Sequence, residues 1–265
     1  MLIHIDVTMS YRLDLGRSVL LAIEAAQTAG QSVLSDRLDC GGAWPRHIPG
    51  EAGIGRRIHI GLDGPMMQLG YAATVDVTRP ATALEPLREH PVHDLPAEAL
   101  PFLRPSRYCQ SDMFGVFVAR RFGALSGGTK IAAIRDWVGQ EMTYVPDASS
   151  SATTVLDTFA TREGVCRDYA HMVCALARAA NIPARYASVY APDVVPPDFH
   201  AVAQVWLEGD WHLVDATGMS RPDDTVVITA GRDACDVAFM ETVQNAQFVA
   251  QSVLVSRGNT GAAFG

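Results

Sequence analysis

Three residues far apart in this 265-residue chain have the types that nucleophilic chemistry at a carbonyl requires: Cys166, His200 and Asp215. A sulfur nucleophile needs a base to hold or take its proton. An imidazole base in turn needs an acceptor on its second ring nitrogen, which fixes its tautomer and orientation. Cys166 stands in Gly164-Val165-Cys166-Arg167-Asp168-Tyr169-Ala170-His171, where the pattern predicts the start of a helix. On a first helical turn, unpaired backbone N–H groups and the positive end of the dipole favour a thiolate over a thiol. The N–H of Cys166 itself is expected to help bind an oxyanion, and Gly164 to let the backbone approach a substrate. Phe199-His200-Ala201 and Val214-Asp215-Ala216-Thr217 lie in alternating apolar stretches and supply the candidate base and orienting carboxylate.

These residues depend on the elements that carry them. The helix is expected from about Cys166 to Ala180, with Tyr169, Val173, Leu176 and Ala177 inward. It stops where Asn181 takes a left-handed conformation and Pro183 cannot continue it. His200, Val202, Gln204 and Trp206 share one face of a strand, and Trp211, Leu213 and Asp215 share one face of the next. A two-residue turn at Glu208-Gly209 opposes Val202 to Asp215 and sets Asp215 diagonal to His200, roughly 7–8 Å between backbones. A turn at Gly209-Asp210 instead separates the two by on the order of 13 Å along the strand. Both registers are compatible with the residues.

Ahead of this region, Ile3, Ile5, Val7, Met9 and Tyr11 alternate with polar residues as in a half-buried strand. Short strands are expected at Val19 to Ile23, Ser32 to Leu38, Arg57 to Leu62 and Gln68 to Val77. Such punctuation predicts an amino-terminal antiparallel β-sandwich over 1–80. Prolines at 80, 86, 91, 96 and 101 forbid a long helix or central strand, so 81–105 is the expected linker. Over 106–265 apolar residues recur first at helical spacing (Met113 to Phe122, Ile131 to Met142) and later in alternation. The expected fold class is α+β, with helices packed on an antiparallel sheet after the sandwich.

Composition narrows the partners. A formal net charge of −8 argues against a nucleic-acid or anionic-membrane surface, each of which requires clustered Lys and Arg. Five cysteines without zinc spacing or a dense disulfide framework fit a reducing compartment. The alternating start does not resemble a secretion signal, so a cytoplasmic location is expected. No cofactor or metal is expected: the proline in His90-Pro91-Val92-His93 excludes a helical ligand pair, and no third ligand is evident. Asp168 is expected to pair with His171, itself about 140° round the helix from Cys166 and read as a packing residue. Arg167 is read as a solvated charge, Cys174 as core and Tyr144 as an ordinary packing residue.

At this point the chain resembles the transglutaminase-like superfamily of papain-like cysteine enzymes, in particular its bacterial branch with an amino-terminal β-domain. The likeness runs through the Gly164 to His171 motif, Ala180-Asn181-Ile182-Pro183-Ala184-Arg185, His200-Ala201 and Gly209-Asp210-Trp211-His212-Leu213-Val214-Asp215-Ala216-Thr217. It continues in Gly231-Arg232-Asp233-Ala234-Cys235-Asp236-Val237. The resemblance implies a Cys166 nucleophile, a His200 base and an orienting Asp215 acting on a peptide or amide bond through a thioester. Hydrolysis of a peptide or protein substrate is the leading expectation, with transamidation or deamidation next. A binding module that keeps the fold without catalysis is the rival from another class. Val202 and Ala216 depart from the family, which often has an aromatic residue and a proline there.

Overall fold

A computed structural model of the chain describes residues 1–14 and 16–258, so the predicted segment 106–265 is described as far as 258. Alternation dictates the first strand. β1 (Leu2–Arg12) buries Ile3, Ile5, Val7, Met9 and Tyr11 and leaves His4, Asp6 and Thr8 exposed. Each buried apolar side chain of this size contributes about 1.5–3 kcal/mol. A one-residue slip would turn all five outward, so the pattern sets the register. β2 (Ser18–Leu21), β3 (Gln31–Asp39), β4 (Arg46–Pro49), β5 (Arg56–Gly61) and β6 (Met66–Val77) follow. β1, β6 and β3 form one sheet and β2, β5 and β4 another. Ile5 and Val7 of the first meet Leu21, Ile58 and Ile60 of the second in one core, which is the expected antiparallel sandwich.

The proline-rich stretch that follows forms no long element, yet it is packed. Leu84 enters the helical core, and Leu95 and Ala99 lie against Trp206. α1 (Gly115–Phe122) and α2 (Gly127–Glu141) then appear where apolar spacing predicts them. β7 (Thr143–Tyr144), α3 (Val155–Thr161), β8 (Glu163–Gly164) and α4 (Cys166–Ala179) lead to the second sheet system. β9 (Ala184–Tyr190), β10 (His200–Leu207), β11 (Asp210–Val214) and β12 (Val226–Gly231) make a four-stranded antiparallel sheet in the order β11-β10-β9-β12. α4 packs on it through Met172, Val173, Leu176 and Ala177, which meet Ala184, Tyr186, Ala201 and Ala203. The molecule is therefore α+β, with helices on an antiparallel sheet.

After α5 (Ala234–Val237) the chain returns to its beginning. β13 (Met240–Thr242) adds to β2, and β14 (Gln247–Arg257) pairs with β1 from Ile3↔Arg257 to Arg12↔Gln247. The sandwich core also takes in Tyr190, Val226 and Ile228 from the second sheet system.

Candidate active site

Cys166 is the first residue of α4, and two local interactions put it there. The Asp168 carboxylate reaches back to accept the Val165 N–H at 2.9 Å, an acid-to-backbone cap that also suits the positive end of the helix. Gly164 permits this: a Cβ there would lie 2.6 Å from the Asp168 Cβ. The glycine thereby admits Asp168 against the helix start. Asp168 does not pair with His171: its Oδ2 turns back to the helix start, while Nε2 of His171 faces the Ala234 N–H instead. His171 is buried between Tyr108 and Tyr186 and accepts the Ala234 N–H at 3.1 Å, the packing role expected of it.

Arg167 is not a solvated charge. Its guanidinium donates to the Ser150 and Thr153 carbonyls at 2.8 and 3.0 Å and lies over the Tyr108 ring. It pins the 150–153 loop beside the helix start. Cys174 is buried, as expected.

The hairpin resolves the register. Leu207 opposes Asp210 and Trp206 opposes Trp211, which leaves Glu208-Gly209 as the turn. Both turn residues have positive φ, 49° and 83°, the backbone of a tight hairpin whose twist matches its strands. Asp215, one residue beyond β11, thereby reaches His200, with Nε2 to Oδ2 at 2.9 Å. The carboxylate is held at both oxygens: Oδ1 accepts Thr217 N–H and Oγ1–H at 2.8 and 2.7 Å, and Oδ2 accepts Ser220 Oγ–H at 2.8 Å. Thr217 and Ser220 went unnoticed in the sequence as partners, although an Asx-type turn after Asp215 is a recognisable local signal.

Cys166 and His200 line one open cavity of about 480 Å³. Its walls are largely apolar and aromatic, including Tyr108, Tyr144, Phe199 and Phe239. Nδ1 of His200 is buried and has no hydrogen-bond partner among the described residues, while Nε2 is committed to Asp215. Burial alone would depress the His200 pKa. The bond to Asp215 and the proximity of Cys166 outweigh it and raise the value to about 9. Asp215 moves the other way. Burial opposes its ionisation, but His200, Thr217 and Ser220 together hold it below the usual carboxylate range.

Tyr144, which the sequence alone reads as a packing residue, also lines this cavity. β7 and β8 form a short parallel ladder in which Tyr144 opposes Gly164, two residues before Cys166. Thr143 N–H to Arg162 O at 2.8 Å and Val145 N–H to Gly164 O at 3.0 Å fix the pair. Burial, and then the neighbouring Cys166, push the Tyr144 hydroxyl up to about 12, so it stays a neutral O–H donor beside the sulfur. Of the other cysteines, Cys109 is buried like Cys174, Cys40 is half-buried and Cys235 is exposed.

Comparison with known proteins gives a consistent picture. The model of the Transglutaminase-like superfamily matches residues 117–216, from α1 to just past Asp215. A solved structure of a "Putative Cysteine Protease" from Cytophaga hutchinsonii is 32% identical. It covers 99% of this chain and 92% of its own, with a TM-score of 0.90. An uncharacterized protein of Mycobacterium leprae is 26% identical over 145 residues, which are 51% of this chain and 52% of that protein. One of Mycobacterium tuberculosis is 31% identical over 112 residues, 37% of this chain and 36% of that protein. The matched region thus spans about half or less of the length of these curated relatives.

Proposed function

The chain belongs to the transglutaminase-like superfamily, and from that premise we propose that it is a cysteine-dependent hydrolase of peptide or amide bonds. The observation that carries the reading is the arrangement of His200. One ring nitrogen is held by a fully bonded Asp215, and the other is free in the cavity that Cys166 lines. In the proposed reaction the Cys166 thiol gives its proton to Nδ1 of His200, its sulfur attacks the substrate carbonyl carbon, and the oxygen takes up negative charge. The N–H of Cys166, the α4 dipole and the Tyr144 hydroxyl stabilise that oxyanion. Collapse breaks the C–N bond, and the imidazolium of His200 gives its proton to the departing amine. Water then adds to the thioester with His200 taking a proton, the C–S bond breaks, and the acid leaves the restored thiol.

The walls combine apolar and aromatic side chains with Asp147, Arg167 and Asp198, and the proposed substrate is a peptide or protein. Hydrolysis is preferred over transamidation because transfer to an amine needs a second subsite that shields the thioester from water. The cavity is open.

The test uses the Cys166→Ala variant and a chloroacetamide peptide mimic, with the labelled residue located by mass spectrometry because Cys235 is also exposed. Loss of peptide cleavage, and of the label at position 166, supports the proposal. Undiminished cleavage by Cys166→Ala overturns it, and incorporation of an added amine in place of water moves the assignment to transamidation.

A further inference from the structure

Two buried or half-buried arginines, Arg79 and Arg185, line one cavity with no carboxylate among the described residues in direct contact with either. Arg185, on β9, is 6% exposed and donates only through Nε, to Gln204 Oε1 at 2.7 Å. Its guanidinium lies 4.0 Å from the centre of the Trp211 ring. A guanidinium that covers a ring with its face keeps its in-plane N–H groups for other acceptors. Nη1 and Nη2 of Arg185 have no acceptor among the described residues. Arg178 supplies the contrast. It is equally buried and also without a carboxylate, but it donates to the carbonyls of Ala184, Arg104 and Arg232 and to Ser106 Oγ. Arg178 is a saturated structural arginine, and Arg185 is not.

Arg79, which follows β6, lines the same cavity of about 360 Å³ as Arg185. It bonds only neutral oxygens, the Pro222 and Thr225 carbonyls at 3.1 and 3.0 Å and Gln31 Oε1 at 3.4 Å. Neither cation has a carboxylate within salt-bridge distance among the described residues, whereas the buried Glu24 and Asp224 each have arginine partners. Asp210 attracts both from across the cavity but bonds neither, so one carboxylate faces two cations that also repel each other. Burial lowers both guanidinium pKa values, Arg185 to about 9, which leaves it cationic at neutral pH. The rest of the lining suits the same ligand: the hydroxyls of Thr28 and Thr78 are neutral donors. Asp210, whose Oδ1 accepts the Trp211 N–H at 2.7 Å, is the one acidic residue of the lining.

We propose that this cavity, between the amino-terminal sandwich and the β9-β10-β11 edge of the second sheet, binds a small oxyanion, phosphate or carboxylate, held in plane by Arg185 and across the cavity by Arg79. The site stands apart from Cys166 and goes beyond the hydrolase reading. Occupancy links the two sheet systems, so it stabilises the folded chain in proportion to ligand concentration.

Titration of the full chain with inorganic phosphate, and separately with succinate, at ionic strength held constant with chloride tests this by calorimetry and by melting temperature. Saturable binding of either anion with a rising melting temperature is expected, and the one bound more tightly identifies the source. Arg79→Met and Arg185→Met should weaken binding by at least about tenfold, the loss of one charge-assisted interaction. Asp210→Asn should strengthen it several-fold by removing the opposing carboxylate, a gain that a purely structural role would not produce. Cys166→Ala should bind as the parent does. If Arg185→Met fails to fold, Arg79→Met and Asp210→Asn carry the same test. A parent chain that responds to phosphate and succinate only as it does to chloride overturns the proposal, as does unaltered binding in Arg79→Met.

Discussion

At the scale of single residues, His200 and Asp215 give the molecule a defined pH response. The His200 pKa near 9 means that the imidazolium, the proton donor of the proposed reaction, persists through neutral pH and is lost as pH rises through about 9. The descending limb of kcat/KM is expected there. In Asp215→Asn, which keeps the shape but removes the charge, that limb should move at least one pH unit lower. Stability follows the same sign. A histidine raised from about 6.5 in the unfolded chain contributes its full stability below that pH and loses it as pH climbs to about 9. The melting temperature should therefore fall between pH 6.5 and 9.5 more in the parent than in Asp215→Asn. Tyr144 makes a separate prediction. Tyr144→Phe removes one of the donors proposed for the oxyanion, so kcat should drop on the order of a hundredfold with KM little changed. Because Tyr144 is 36% exposed, its melting temperature should stay near that of the parent.

At the scale of elements, the β10–β11 turn decides whether the histidine and the aspartate meet. Gly209 at φ 83° is where a β-branched side chain is most strained. Gly209→Val should cost about 1–2 kcal/mol by urea denaturation and lower activity more than the stability loss explains, since a strained turn shifts Asp215 against His200. The hairpin also shows what a sequence can and cannot disclose. Parity alone puts His200 and Asp215 on one face, but it admits turns two residues apart along the strand, and only the backbone at Glu208 and Gly209 separates them. β1 and α4 are legible because burial periodicity and end signals coincide on the same residues. The Asp168–His171 pairing fails because spacing of three shows adjacency on a helix, not which of two acceptors or donors prevails. Here the helix cap prevails. α3 escaped notice although Thr154-x-x-Asp157 is a capping signal: Asp157 accepts both the Thr154 N–H at 2.9 Å and its hydroxyl at 2.7 Å.

At the scale of the whole molecule, Arg257 at the end of β14 ties the sandwich to the second sheet system. It pairs with Asp193, just beyond β9, and with the buried Asp224, just before β12. Arg257→Ala leaves Asp224 only the Arg221 contact at 3.2 Å. The variant should lose about 1–3 kcal/mol of stability, the penalty for an under-bonded buried polar group, with kcat/KM unchanged because the pair lies outside the Cys166 cavity. None of this long-range pairing is visible in the sequence. The apolar stretch at Phe248 to Val255 reads as a strand, but it names no partner, and the partner is β1.

That last pairing makes assembly order matter. β1 lies between β6 and β14 in its sheet, so one of its two hydrogen-bonding edges stays open until more than two hundred further residues have left the ribosome. A contact of such sequence separation forms slowly. Until then the open flank is a template for another nascent chain. Crowded translation of this chain should therefore yield aggregates nucleated at β1.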